Sequence, residues 1–345
     1  MTITTEKLTL NDKRNVTLVT MLQSVNGEFG HISKRPAILI LPGGGYSMCS
    51  DREAEVIAYP YLLAGYHAFV LRYSTGDNRR WPNPLNDYEQ AMELIRSKED
   101  EWHILTDKIA VIGFSAGGHL AACAATVAKN RPNAAILGYA ALEQDIASFC
   151  QPGTDVPSPT DHVDAMTPPC FLFAARDDSV VPIHNTLNFE SALAKFGTQF
   201  ESHIYAYGGH GFGTGEPNIS GIELCRRIPN WAKDSVGWLE DVFGQLTTSG
   251  MGKPSCLSKI NGNGEAYLSV DCTLAYLRKQ DAAATVLDQF FETLNTVIEK
   301  QFGGNSAVIN ILGIFKLREL LNTLGQEKTA IEALDAALQQ IPNHF

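Results

Sequence analysis

Over its first 246 positions the chain alternates short runs of branched and aromatic residues with stretches whose apolar residues recur at helical spacing. "NVTLVTMLQ" (15–23), "AILILP" (37–42), "HAFVLRY" (67–73), "KIAVIGF" (108–114), "AAILGYA" (134–140), "CFLFAA" (170–175) and "ESHIYAY" (201–207) read as strands. Several are apolar on both faces, as strands sandwiched between two helical layers must be. Between them, 86–98 places Ala91, Leu94 and Ile95 on one face behind an Asn86 or Asp87 cap. The stretch 185–197 sets Phe189, Ala192, Leu193 and Phe196 at helical spacing and stops at Gly197. Pro60, inside "AEVIAYPYLLAG", predicts a kink or break in its helix. This order of elements predicts βαβ units and a mostly parallel, doubly wound sheet.

The rhythm stops at "LTTSGMGKPS" (246–255), where the composition turns to Gly, Ser, Thr and Pro. The expected organisation is an α/β domain over 1–246, a linker over 247–272 and a small helical domain over 273–345. Three helical stretches are expected there, over 281–301, 307–325 and 327–341. Their apolar residues, among them Phe290, Phe291, Leu294, Ile311, Leu320 and Leu321, exceed what three short helices bury alone. That predicts packing against the first domain or a homo-oligomer formed through the tail.

Composition narrows the function. The 345 residues are 44% hydrophobic and 19% charged, a globular balance with ample core. A net charge of −11 repels phosphate, so no nucleic-acid partner is expected. The opening residues lack the apolar core of a secretion signal, and no run approaches the ~20 apolar residues of a membrane span. No membrane partner is therefore expected. The seven cysteines are odd in number, scattered and free of CxxC spacing. Reduced thiols in a cytoplasm are expected, with no metal site built on them.

The chemistry gathers around Gly113-Phe114-Ser115-Ala116-Gly117, where a branched run gives way to small residues. In a G-x-S-x-G turn from strand to helix, side chains two positions either side of the serine collide with neighbouring backbone. The serine is forced into a strained conformation with its hydroxyl exposed, and the next helix presents its positive end to developing negative charge. The pentapeptide alone occurs often by chance; its place between a strand and a helix gives it weight. Upstream, "LPGGGYS" puts three glycines after a strand, where backbone N–H groups can reach a carbonyl oxygen unobstructed. Gly44, Gly45 and Ala116 are the candidate oxyanion donors.

A nucleophilic serine needs an acid and a base. After "CFLFAA" comes "RDDSVVP", which offers two carboxylates. Spacing to Val181-Pro182 favours Asp178; Asp177 stays open as the alternative, or as a turn former. His210, in the glycine-rich "YGGHGFG" after the last strand, has room for one helix and one strand between it and Asp178. His119 falls one turn past Ser115 and is expected below the site. His203 lies within a strand, while His67, His103 and His184 have no evident partner. "GHGFGTG" follows the last strand and opens no helix, which argues against dinucleotide binding.

With PGGGY, GFSAGGH, RDDSVVP and YGGHGF in this order, the first 246 residues resemble an α/β-hydrolase of the esterase/lipase branch. More narrowly, they are similar to bacterial acetyl-xylan-esterase-like and feruloyl-esterase-like proteins. The resemblance implies the α/β-hydrolase fold and cofactor-free, serine-dependent hydrolysis of a small-molecule ester. It implies Ser115, Asp178 and His210 as catalytic residues, Gly44, Gly45 and Ala116 as the oxyanion hole, and Tyr46 as a substrate contact. A peptidase using the same groups, and a binding protein on a retired hydrolase fold, are the competing readings. The tail is similar to helical segments at the ends of some bacterial β-glucosidases.

Overall fold

The computed structural model describes residues 1–9, 14–144, 155–221, 223–255, 265–292 and 312–343. Parts of the first two expected tail helices, with Leu294 and Ile311, lie outside the described residues, as do Cys150 and Cys256. The chain divides into two compact units, Met1–Gly252 and Lys253–Phe345.

The first unit is built on one eight-stranded sheet. Its strands are β1 (Thr2–Thr9), β2 (Asn15–Leu22), β3 (Arg35–Leu41), β4 (His67–Arg72), β5 (Ile104–Phe114), β6 (Ala134–Gly138), β7 (Cys170–Ala175) and β8 (Phe200–Tyr205). They run in the order β1-β2-β4-β3-β5-β6-β7-β8. The pairs β1–β2 and β2–β4 are antiparallel. All other neighbours are parallel. Strands β3, β6 and β7 are buried at every position, as their two-faced apolar runs require. Each of the seven expected runs overlaps a strand of this sheet, and Pro42, Tyr73, Tyr139 and Ala140 lie past the strand ends. β1 has no apolar run, and only Leu8 of its described side chains is buried. An edge strand joined through its backbone needs no such run.

The helices of this unit are α1 (Glu55–Leu63), α2 (Asn83–Ser97), α3 (Ser115–Thr126), α4 (His184–Phe196) and α5 (Asn230–Phe243). Against expectation, α1 runs through Pro60. Its buried Ile57, Ala58 and Tyr61 hold it to the core, and the Tyr61 hydroxyl hydrogen-bonds Ser235 Oγ at 2.8 Å. α2 starts at Asn83, ahead of the expected cap. Asp87 is instead buried within it, accepting from the Ser74 N–H at 2.6 Å and Arg14 Nη1 at 3.1 Å. α4 ends at Gly197, whose φ of 70° is the left-handed helix stop. Phe196, expected in the core, is exposed, and Asn185 and Thr186 are buried in the first turn.

The first unit runs past residue 246. A hairpin of β9 (Leu246–Thr247) and β10 (Gly250–Met251) belongs to it, and Thr248 O accepts the His31 N–H at 2.9 Å. The described residues of the second unit include helices α6 (Leu274–Arg278), α7 (Asp281–Glu292), α8 (Leu317–Thr323) and α9 (Lys328–Leu338). Each short helix precedes a longer one. The two short helices are joined at their starts by Leu274 N–H to Phe315 O (3.1 Å) and Leu317 N–H to Cys272 O (3.0 Å). Leu268, Val270 and Cys272, expected in a linker, belong to this unit's core with Phe291, Leu320 and Leu321. Much of the tail's apolar surface is therefore buried within the tail. No described helix is long and apolar enough to cross a membrane. Cys49, Cys123, Cys170, Cys225 and Cys272 are free thiols.

Helix α3 lies against the sheet through small residues. A Cβ on Gly117 would stand 2.2 Å from Leu41 O and 2.3 Å from Pro42 O; one on Gly113 would stand 2.1 Å from Gly117 O. Within α3, His119 is fully buried. Its Nε2 faces Pro157 O at 2.9 Å and its Nδ1 faces the Tyr46 hydroxyl at 2.7 Å. A carbonyl only accepts, so Nε2 carries the proton and Nδ1 accepts from Tyr46. Burial disfavours the charged ring and holds its pKa down at about 4.

Two kinds of stability prediction arise here, the first from substitutions at glycine. Gly117→Ala drives a methyl into backbone carbonyls and should cost about 3 kcal/mol, read as a lower urea midpoint. Gly237→Ala, on a part of α5 with open space around the added methyl, should instead gain about 0.5–1 kcal/mol. The second prediction concerns pH. The unfolded His119 takes up a proton near pH 6.5, which the folded site refuses until about pH 4. Between these values the unfolded state binds more protons, so stability falls as pH falls, by up to about 1.4 kcal/mol per pH unit. Urea titrations at stepped pH should show this slope, and His119→Gln should make it shallower; buried His67, also held at about 4, adds to it in the same direction.

Candidate active site

Three of the predicted residues follow the C-terminal ends of parallel strands. Ser115 follows β5, Asp178 lies in the loop after β7, and His210 in the loop after β8. Ser115 holds a φ of 54°, the left-handed region that a side chain ordinarily avoids. Its hydroxyl lies 2.8 Å from His210 Nε2. His210 Nδ1 lies 2.7 Å from Asp178 Oδ2, and the other oxygen, Oδ1, accepts the N–H groups of Val180 (2.8 Å) and Val181 (2.9 Å). The Asp178 side chain is fully buried, whereas His210 is partly open. A carboxylate only accepts, so Nδ1 carries the proton and the Nε2 lone pair faces the Ser115 hydroxyl. That places a base against a serine nucleophile, with a third group orienting the base.

The neighbouring Asp177 has a different task. Its Oδ1 accepts the N–H groups of Gly208 (2.9 Å) and Gly209 (3.0 Å), the two residues before His210. It ties down the backbone that carries the ring, while Asp178 meets the ring itself.

The glycine loop after β3 closes over the serine. A Cβ on Gly43 would stand 3.1 Å from Ser115 Cβ and 2.7 Å from Phe114 O. Gly44 has a φ of 126°, and a Cβ there would stand 2.3 Å from Met48 O. Among the described residues, no hydrogen bond engages the N–H of Gly44 or Gly45. Ala116 sits in the first turn of α3, where N–H groups have no intrahelical acceptor. Tyr73 steadies the loop by donating its hydroxyl to Pro42 O at 2.5 Å.

Tyr46 does not face the site. It is fully buried with its hydroxyl on His119, so the substrate contact expected of it is corrected to a support beneath the loop. Its aromatic ring meets Tyr73 and His119 edge-on, and this burial outcompetes exposure at the mouth.

Two neighbours of the site escaped the sequence reading. Glu53 is buried, its Oε2 accepting the Gly43 N–H at 2.9 Å and its Oε1 the Tyr139 hydroxyl at 2.5 Å. The Tyr139 oxygen in turn accepts the Gly213 N–H at 3.0 Å. The Tyr139 ring also stands 5.1 Å from the His210 ring, edge to face. Burial raises the Glu53 carboxyl above the usual range, against the opposing pull of these two hydrogen bonds and of His210 and Arg52. Glu53 lies in "SDREAE", a charged stretch with every mark of a solvated face, and Tyr139 closes an apolar run. Neither carries a local signal.

Comparison with known proteins places relatives beside this chain. The BD-FAE family matches residues 30–156, and the Prolyl oligopeptidase family matches residues 151–238. Among curated proteins, the chain is 32% identical over 206 residues to endo-1,4-beta-xylanase B of Butyrivibrio fibrisolvens, covering 52% of this chain and 32% of that protein. It is 30% identical over 241 residues to the acetylxylan esterase of Xylanibacter ruminicola, covering 63% of this chain and 50% of that protein. The chain thus matches half or less of the length of these two relatives. A crystal structure of MGS-M1, an alpha/beta hydrolase enzyme from a Medee basin deep-sea metagenome library, is 42% identical with a TM-score of 0.64. That match covers 70% of this chain and 98% of MGS-M1. With the sheet order, the serine turn and this relative in agreement, the chain belongs to the α/β hydrolases.

Proposed function

We propose that the protein hydrolyses short-acyl carboxylic esters through an acyl-enzyme on Ser115, with acetylated carbohydrates as the substrate class. The unbroken hydrogen-bond chain from Asp178 through His210 to Ser115 carries this reading. As Ser115 Oγ attacks the ester carbonyl carbon, its proton passes to His210 Nε2. The resulting imidazolium is held by Asp178, and the oxyanion by the N–H groups of Gly44, Gly45 and Ala116. Collapse breaks the bond to the alcohol, which leaves with the proton from His210. Water then gives a proton to Nε2 as it attacks the acyl carbon, and Ser115 Oγ departs with that proton. No cofactor enters these steps.

The carbohydrate setting is supported by the names of the xylanase and acetylxylan esterase relatives. The match of residues 151–238 to the Prolyl oligopeptidase family keeps amide cleavage in view, because that segment carries Asp178 and His210. A panel of acetylated xylo-oligosaccharides, p-nitrophenyl esters and aminoacyl anilides separates the two. The esters should turn over and the anilides should not. Ser115→Ala should abolish ester turnover with the fold intact, and a fluorophosphonate should label Ser115 alone; activity in that variant, or label on another serine, sinks the reading.

The adjacent carboxylates should separate under substitution. Asp178→Asn disturbs the ring's partner and should cut kcat by about 10⁴. Asp177→Asn keeps an oxygen for the Gly208 and Gly209 N–H groups and should change kcat little. The opposite ranking in steady-state kinetics moves the acid to Asp177.

A further inference from the structure

We infer that Glu53 and Tyr139 act as a positioning pair that locks the oxyanion loop and the histidine loop into one geometry. This rests on the esterase reading above and adds to it two residues outside the Ser115–His210–Asp178 chain.

The argument begins with the direction of each bond. A carboxylate accepts only, so the bonds run from the Gly43 N–H to Oε2 and from the Tyr139 hydroxyl to Oε1. Having donated its one proton, the Tyr139 oxygen is left to accept from the Gly213 N–H. Two segments distant in sequence thus meet at one carboxylate, and a third joins them through the Tyr139 hydroxyl. Gly43 adjoins the proposed donors Gly44 and Gly45, Tyr139 follows β6, and Gly213 lies three residues past His210.

Placement separates this pair from an ordinary buried polar contact. Burying a carboxylate is costly unless hydrogen bonds compensate it. Here that cost falls where two loops must agree. The donors must face the oxyanion while Nε2 faces Ser115 Oγ, and misplacement by about 1 Å costs about 10²-fold in rate. The Tyr139 backbone itself is held at a φ of 33°, a strained value in a side chain wedged against His210 and Phe212.

The test uses the full chain. Tyr139→Phe removes one hydroxyl and keeps the ring among Phe114, Phe173 and Phe212. Glu53→Gln keeps the shape but replaces one accepting oxygen by a donor. Steady-state kinetics on p-nitrophenyl acetate, circular dichroism and the rate of Ser115 labelling by a fluorophosphonate are measured for each variant and for the double variant. Each folded variant should lose about 10–100-fold in kcat, with KM within about threefold. The double variant should lose no more than the worse single one, because both break the same chain of bonds. A folded Tyr139→Phe with wild-type kcat overturns the inference, as does a loss confined to KM or losses that multiply. If Glu53→Gln fails to fold, Tyr139→Phe alone decides by the same criteria. If the wild-type protein turns over no ester, the esterase reading fails on its own, and the labelling rate still decides on the pair. Slowed labelling in folded Tyr139→Phe supports it and unchanged labelling overturns it.

Discussion

The left-handed backbone at Ser115 is the constraint on which the site depends. A side chain at a φ of 54° costs about 1–3 kcal/mol and persists only where its surroundings over-determine it. Those surroundings come from the sheet. β5 is buried along its last six residues, and α3 descends so closely that Gly113 and Gly117 leave no room for a methyl. The register of β3 beside β5 pairs Leu41 with Gly113, so the next residues on each strand leave the sheet at the same level. Pro42 to Gly45 therefore run alongside the serine turn. The glycine loop lies over Ser115 because neighbouring parallel strands end together, not because the loop seeks the serine.

The chain is acidic overall, yet buried carboxylates tie its segments together. Asp178 accepts two backbone N–H groups and the His210 ring. Asp87 accepts a backbone N–H and the Arg14 guanidinium, and Glu53 accepts a backbone N–H and a phenol. Each satisfies the rule that a buried charge must be paired or hydrogen-bonded. Each also joins segments that the strand ladder does not join. Exposed Asp177 and buried Asp178 divide the work between adjacent residues, one on the loop backbone and one on the ring.

How much of this was legible in the sequence depends on how local the determining physics is. Two-faced apolar runs mark buried strands without ambiguity, and the glycines around Ser115 answer to contacts a few residues away. Ser115, Asp178 and His210 meet as their order along the chain implies. Tyr46 and Glu53 are different. Tyr46 meets His119, 73 positions away, and Glu53 meets Tyr139, 86 positions away. No periodicity in either neighbourhood reports such a pair. Asp87 misled for a related reason, since a cap and a buried ion-pair partner look alike in sequence. Pro60 misled in the opposite sense, because tertiary packing on Ile57 and Tyr61 outweighs a local helix breaker.

The same physics explains why the reaction class is easier to argue than the substrate. Every donor proposed for the oxyanion is a backbone N–H, set by turns and glycines that few side chains can replace. The groups free to differ are the exposed ones bordering this machinery, such as Met48 beside Gly44 and Val180 two residues past Asp178, each more than half exposed. They can change without disturbing the Ser115 turn, the Asp177 tie or the Glu53 contacts, because none of those bonds uses their side chains. The fold leaves side chains such as these free to vary, while it constrains the backbone around Ser115 closely.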